Sequence, residues 1–408
     1  MTNDVQEQYE AYPYPARDPA DEAKRLIAGS PSHPAEIDHY LFAGKRDWTK
    51  PFRVLVAGGG TGDSLIMLGT LLEKAGVPTE IIYLDLSKSA RKIAEARAAA
   101  RKLNSITFVT GDLRDAGKHG SFDYIDCCGV LHHLPTPQEG FDALAAALRP
   151  DGGIGAMVYA PYGRTGVYPL QEAFGTLFKA DSPQEKLALA RNVMTQLPKS
   201  QWFTQNKFVG DHETGDAGFY DLLLHSQDTP FTVKEVHNAC DKAGLQIISF
   251  IEPILYDPAQ YLPATPDITE RLSALDDIAK AHLAEQLSGA IKTHVFYACK
   301  KGRGGTQADP ADMSLHPRLY GISPRQLARE IATKGVLTAT FNGVAHKTSF
   351  AKSAAPLAVL IDGRPLKDIA AAAKLDPLVF NQAWQSLHRG LTGLNALRYS
   401  THAPWASS

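Results

Sequence analysis

Val54-Leu-Val-Ala-Gly-Gly-Gly-Thr-Gly62 is an apolar run that breaks into a glycine cluster, and Asp63-Ser-Leu-Ile-Met-Leu-Gly-Thr-Leu-Leu72 follows it directly with helix-forming residues. The phrase predicts a buried strand, a tight turn and a helix. At such a turn the backbone approaches a ligand closely and visits positive φ, which only residues without a Cβ do cheaply. The helix N-terminus adds unpaired N–H donors that suit an anionic or polar ligand. A nucleotide-like ligand is one reading; an ordinary strand-to-helix turn is the other.

Outward from the turn, Ile81-Ile-Tyr-Leu-Asp85 reads as a second strand and completes a βαβ unit. An acid at its carboxyl end lies beside the ligand crevice, where a carboxylate can accept both hydroxyls of a ribose. Ser87 is a suitable N-cap for the amphipathic helix that follows. Ile106-Thr-Phe-Val-Thr110 is a third strand ending in Gly111-Asp112; the Asp112 carboxylate either accepts from an exocyclic amine, with Leu113 packing on a purine face, or caps the next turn. Phe122 to Leu134 contains a fourth strand running into a loop with His132 and His133. Ile154 to Ala160 is the fifth, after a helix stopped by Arg149-Pro-Asp-Gly-Gly153.

These pieces together resemble a class I S-adenosylmethionine-dependent methyltransferase, over residues 50–160 strongly and more loosely to residue 302. The resemblance implies an α/β fold, a doubly wound seven-stranded and mostly parallel sheet. The methyl donor would be S-adenosyl-L-methionine, with S-adenosyl-L-homocysteine as product. It implies that Gly58, Gly60 and Gly62 pass beneath the methionine moiety, with Ala57, Gly59, Thr61 and Asp63 completing the turn. Asp85, beside Leu86, would hold the ribose; Asp112 and Leu113, after Gly111, would contact the adenine; Cys128 and Gly129 would line the far side. A nicotinamide dinucleotide enzyme should present a second mononucleotide-binding half. Here an insertion is followed by Leu245-Gln-Ile-Ile-Ser-Phe-Ile251 and Thr293-His-Val-Phe-Tyr-Ala-Cys299, which resemble the antiparallel pair closing a methyltransferase sheet.

The expected organisation is an N-terminal arm over 1–50, a catalytic domain over 51–302 with a helical insertion over about 162–232, a linker over 303–312 and an accessory domain over 313–408. The arm phrase Tyr9-Glu-Ala-Tyr-Pro-Tyr-Pro-Ala-Arg-Asp18 predicts extended or turn-like chain. Its aromatics, Tyr12 and Tyr14 among them, either pack outside the next domain or form a flap over the ligand. Tyr162, Arg164 and Tyr168 are candidates for substrate contact, and Tyr220 and His225, within Gly218 to Asp228, for a polar pocket wall. The last domain reads as helical and winged-helix-like. It resembles faintly the C-terminal module of bacterial protein-lysine methyltransferases, on Leu360-Ile-Asp-Gly363 and Gly393-Leu-Asn-Ala-Leu397. Partner docking or a homodimer through it is expected rather than DNA binding, since a dense basic helix is lacking.

Composition narrows the classes. The formal net charge of -2, from 42 basic and 44 acidic residues among 408, offers no field for general nucleic-acid binding. Cys127, Cys128, Cys240 and Cys299 show no CxxC spacing, so no metal site is expected and a reducing cytoplasm fits. No run reaches membrane-spanning length and MTNDVQEQYE has no signal-peptide character. Methyl transfer needs positioning and exclusion of water, with a base only for some nucleophiles. His132 and His133 are the best placed bases, and the Asn/Asp-Pro-Pro-aromatic signature for planar amide or nucleobase nitrogens is absent, its place reading Cys127-Cys-Gly-Val130. Three readings stand: methylation of a protein amine such as lysine, methylation of a small metabolite, and a catalytically silent cofactor-binding protein.

Overall fold

A computed structural model describes residues 3–407. Its centre is a seven-stranded sheet of β1 (Phe52–Ala57), β2 (Thr79–Asp85), β3 (Ile106–Thr110), β4 (Phe122–Cys128), β5 (Leu148–Tyr159), β6 (Leu245–Ile251) and β7 (Thr293–Lys300). The order is β3-β2-β1-β4-β5-β7-β6, with β1 to β5 parallel and β7 antiparallel between β5 and β6. The continuous apolar runs are those of strands covered on both faces, and Val54 to Ala57 are wholly buried. One face packs on helices Pro137–Ala147, Val233–Lys242 and Asp277–Ser288, the other on Pro34–Leu41, Asp63–Lys74 and Lys88–Ala100. The chain runs outward in opposite directions from β1 and β4, which opens a crevice above their carboxyl ends.

Local chemistry sets the helix starts. Ser87 accepts from the Ala90 N–H (3.0 Å), and Thr232 with Glu235 forms a reciprocal capping box ahead of Val233–Lys242. The insertion contains Val167–Leu177, Pro183–Met194 and Asp216–Leu223, whose apolar sides meet in a small core of their own around Val167, Phe174, Phe219 and Leu223.

The first 50 residues differ from an extended arm. Asn3–Ala11 and Pro34–Leu41 are helices and Pro19–Ala23 a 3-10 turn, while the Tyr-Pro repeat and residues 24–33 and 42–50 are irregular. Pro34 stands in the first helical turn, where its missing N–H is no loss, and the His33 ring accepts from the Ala35 N–H (3.1 Å). Helix Pro34–Leu41 is buried along its whole length, held between the sheet and the C-terminal module. Glu36 receives bonds from Arg398 (2.6 Å), Asn395 (2.8 Å) and Ser30 (2.7 Å) on one oxygen and from the Tyr297 hydroxyl of β7 (3.0 Å) on the other.

The C-terminal module has helices Pro324–Lys334, Leu366–Ala373 and Pro377–Gly393 around Leu327, Trp384 and Leu387. Beside these helices stand four short strands, β8 (Pro317–Leu319), β9 (Val336–Phe341), β10 (Val344–Ser349) and β11 (Leu397–Tyr399), with β9 and β10 forming a hairpin and β8 pairing with β11. The hairpin turns on Asn342 and Gly343, both at positive φ (48° and 74°), the residue pair such a two-residue turn favours. The segment expected as a linker is pinned to the core: the Ala308 N–H donates to the His39 carbonyl (2.9 Å), Lys45 pairs with Asp312, and Arg303 donates to the Gly152 carbonyl (2.7 Å).

Candidate active site

A cavity of about 440 Å³ lies over the carboxyl ends of the parallel strands, within the usual range for small-molecule sites, about 300 to 1,000 Å³. Strand order arranges its wall. Gly111 and Leu113 after β3 stand at one end, Leu84 to Leu86 at the end of β2 come next, then Gly58, Gly59, Gly60, Gly62 and Asp63 after β1, Asp126 and Cys128 of β4 with Gly129 and Val130 after it, and Met157 and Tyr159 of β5 at the other end.

The glycine turn is shaped by close approach. A Cβ on Gly58 would lie 2.3 Å from the Val130 side chain, and φ is +70° there and +100° at Gly62. The Gly58 N–H donates to the Leu84 carbonyl (2.7 Å), the Gly60 N–H to Asp85 Oδ2 (2.8 Å) and the Ser87 N–H to Asp85 Oδ1 (2.8 Å). Burial raises the Asp85 carboxyl above its ordinary range against these bonds. Each oxygen keeps a further lone pair for a ligand hydroxyl.

The arm roofs the cavity. Tyr9, Tyr14, Pro15 and Arg17 line it, as do Ala28 to Ser32. Thr61 donates to the Pro15 carbonyl (2.7 Å), Arg17 holds Asp63 through two nitrogens (2.8 and 2.6 Å), and Arg97 reaches the same carboxylate (2.8 Å). Glu10 caps the helix Lys88–Ala100, accepting from the Lys88 N–H (2.5 Å) and the Ser89 hydroxyl (2.6 Å).

At the β5 end a polar cluster forms from parts distant in sequence. Asp221 accepts from the Tyr9 and Tyr159 hydroxyls, both at 3.1 Å, and lines the cavity with both tyrosines and His133. Burial raises the Asp221 carboxyl, with the Arg164 guanidinium pulling it down. Gln227 sets two histidine tautomers in opposite senses. Its carbonyl can only accept, so His133 Nδ1 carries the proton (3.0 Å) and Nε2 keeps a lone pair. Its N–H donates to His225 Nδ1 (3.1 Å), so His225 donates from Nε2 to the Tyr9 oxygen (3.2 Å), and Tyr9 in turn donates to Asp221. The two imidazoles stack with centroids 3.8 Å apart, and burial lowers both, so they face each other neutral. Ligand atoms of His133, Asp221 and His225 lie within 4.8 Å of one another. With its lone pair turned to Gln227, His225 serves a hydrogen-bond relay and not a cation.

Of the residues expected at a site, Gly58, Gly59, Gly60, Gly62, Asp63, Asp85, Leu86, Gly111, Leu113, Cys128, Gly129, His133 and Tyr14 line this cavity. Asp112 does not. Its carboxylate accepts from the Arg114 N–H (2.9 Å) to cap residues 113–119 and pairs with the Arg114 guanidinium (2.8 Å). Ala57 and Thr61 are buried behind the turn. His132 is buried in the layer behind, its Nδ1 accepting from the Tyr159 N–H (3.3 Å), and His225 acts through Tyr9. Tyr12 stacks on Tyr220 (5.0 Å), fastening arm to insertion outside the wall. Arg164 lies 3.6 Å from the Tyr159 ring centre, pairs with Asp228 (3.4 Å) and bonds Tyr168 (3.1 Å), supporting the cluster from behind, while Tyr162 is half-buried in the adjoining loop. Asp221 falls within Gly218 to Asp228, the stretch expected as a polar pocket wall, whereas Arg17, Ser64, Asp126, Met157 and Tyr159 are wall residues that sequence reasoning missed. The only sequence signal among them is the acid two residues before Cys128-Gly129.

Residues 55–154 match the model of a family described as a methyltransferase domain. An uncharacterised protein of Synechococcus sp. is 26% identical over 347 residues, 80% of each chain. The ubiquinone/menaquinone biosynthesis C-methyltransferase UbiE of Methylobacterium nodulans is 29% identical over 105 residues, 26% of this chain and 40% of that one. Among solved structures, PKMT2 of Rickettsia typhi in complex with AdoHcy has the same fold, with a TM-score of 0.63 at 14% identity over 90% of this chain and 75% of that one. A second structure of PKMT2 of Rickettsia typhi gives a TM-score of 0.59 at 15% identity, over 86% of this chain and 71% of that one. Sheet order, glycine turn and family match agree: the chain carries a class I S-adenosylmethionine-dependent methyltransferase domain.

Proposed function

We propose that the protein transfers the methyl group to an amine, of the kind a lysine side chain of a protein carries. The observation that supports this reading most is the acceptor end of the cavity. There a buried carboxylate, Asp221, is held by two phenols and walled by Tyr9, Tyr14 and Tyr159. Aromatic faces around one carboxylate favour a cationic head group.

The wall fits the cofactor. Gly58 and Gly59 leave no room for a side chain, Asp85 offers free lone pairs for ribose hydroxyls, and Leu113 offers an apolar surface for the adenine. Four carboxylates, Asp63, Asp85, Asp126 and Asp221, face one guanidinium, Arg17, so the wall complements a cationic ligand. When bound, the cofactor supplies a methyl group on a sulfonium. The arm excludes water from above. Asp221 binds the incoming ammonium, and the His133 Nε2 lone pair accepts the proton that the nitrogen must lose before it is nucleophilic. Burial lowers His133, which keeps that lone pair free at neutral pH.

Asp85→Ala is expected to weaken S-adenosylhomocysteine binding by about 10- to 100-fold, since charge-assisted hydrogen bonds contribute about 1.5–3 kcal/mol each. Calorimetry giving an unchanged constant removes Asp85 from the ribose. The acceptor is tested by incubating the pure protein with radiolabelled cofactor and size-fractionated lysate. Label in protein bands that hydrolyse to methylated lysine supports the reading. Label only in small molecules supports the second reading, a metabolite acceptor, which the roofing of the cavity by Tyr9 and Tyr14 favours.

A further inference from the structure

Asp126 enters the reading above only as one of four wall carboxylates, with no group of the ligand assigned to it, and its side chain is buried in the cavity wall. It lies on β4 in register with Val56 of β1, directly beside the strand that ends in the glycine turn. Ser64 donates to Oδ1 (2.8 Å), Ser32 donates to Oδ2, and the Cys128 thiol also reaches Oδ2 (3.5 Å). No described lysine, arginine or histidine pairs with it. Asp63, in the same wall, is instead neutralised by Arg17 and Arg97. A buried carboxylate supported by hydroxyls and a thiol is costly to keep ionised, and burial does raise Asp126.

Strand order says which part of the ligand meets it. With the adenine over β3 and β2 and the ribose on Asp85 at the end of β2, the amino-acid tail continues past β1 toward β4. Asp221 stands further on, beside β5 at the acceptor. We infer that Asp126 is the counter-charge for the α-ammonium of the cofactor's methionine tail, with Ser32 and Ser64 orienting its carboxylate. This rests on the cofactor placement proposed above. The ammonium is the cation of the ligand that reaches the boundary of β1 and β4. Of the three wall carboxylates on the cofactor's side of Asp221, Asp63 is taken by arginines and Asp85 by the ribose in that placement, which leaves Asp126 to meet it.

The test compares three ligands by calorimetry on the full-length protein and on Asp126→Asn, a variant of nearly the same shape. S-adenosylhomocysteine carries the whole tail, decarboxylated S-adenosylmethionine keeps the tail's ammonium without its carboxylate and adds the sulfonium, and 5′-methylthioadenosine has no tail. The expected result is that Asp126→Asn weakens the first two by about 10- to 100-fold and leaves 5′-methylthioadenosine unchanged. Its unchanged binding also reports that the variant folds. Equal weakening of all three makes Asp126 a structural residue and overturns the inference, as does unaltered binding of decarboxylated S-adenosylmethionine. If the unsubstituted protein binds none of the three, the cofactor placement itself fails.

Discussion

Asp221→Asn is expected to lower turnover by about 10²- to 10⁴-fold, the range for removing a group that handles charge and a proton at the reacting centre, while S-adenosylhomocysteine affinity changes by less than about threefold. Asparagine keeps the shape but offers one acceptor where Tyr9 and Tyr159 each donate to a separate carboxylate oxygen. One phenol must turn away and the proposed amine acceptor loses its counter-charge. Single-turnover kinetics with saturating cofactor separate the two effects. Equal losses in turnover and cofactor affinity would mean that Asp221 holds the cavity's shape and not the acceptor. His133→Ala belongs to the same experiment. It should lower turnover more than cofactor affinity, and because its Nε2 lone pair is the proposed proton acceptor, raising the pH should recover part of the loss by delivering more neutral amine. If turnover stays at the unsubstituted level, the proton leaves by another route.

The second large effect is on stability. Arg398→Met is expected to cost about 3 to 5 kcal/mol, the loss that follows when one partner of a buried ion pair is removed. Glu36 and Arg398 are both buried where helix Pro34–Leu41 meets the C-terminal module. Burial alone would raise Glu36, but Arg398, Ser30 and Asn395 more than reverse it and hold the carboxyl below its ordinary range. A lowered folded value means that the pair contributes stability above the ordinary carboxylate range and loses it as pH falls through the folded value. In Arg398→Met burial is left unopposed by the guanidinium, so the acid limb of the urea-midpoint profile should move to higher pH. A midpoint and profile like those of the unsubstituted protein would show that the module does not lean on this pair. The same contact bears on any truncation. Removing residues 306–408 strips Arg398, Asn395 and Trp405 from the core around Glu36 and Trp48, so lost activity after such a deletion reports on folding as well as on recruitment of a target.

The sheet was legible because its information is local. Val54 to Gly62, Ile81 to Asp85 and Ile106 to Thr110 are short apolar runs bounded by turn residues, and their succession with helices implies a parallel sheet with its crevice at the carboxyl ends. The glycine turn, Asp85, Leu113, Gly129 and His133 follow from the same phrases, since each stands at a strand end and strand ends meet at the crevice. The β9–β10 hairpin was legible in principle, from alternating residues around Asn342-Gly343. The helical periods on either side masked it.

What only the tertiary structure decided was which distant side chains share that crevice. Tyr9 and Asp221 are 212 positions apart, and Ser32 and Asp126 are 94. No periodicity links them, because their meeting depends on where the arm and insertion fold back. Asp112 shows the converse. Its phrase fits a ligand contact as well as a cap, and the Arg114 N–H and guanidinium, close in sequence and in space, take the carboxylate first. The sequence alone determines the sheet, the turn and the donor that the turn suits, since those depend on backbone geometry and hydrophobic period. The proposed acceptor end needed three dimensions, because a buried carboxylate, two phenols and a neutral imidazole come together only when segments from opposite ends of the domain are packed around one cavity.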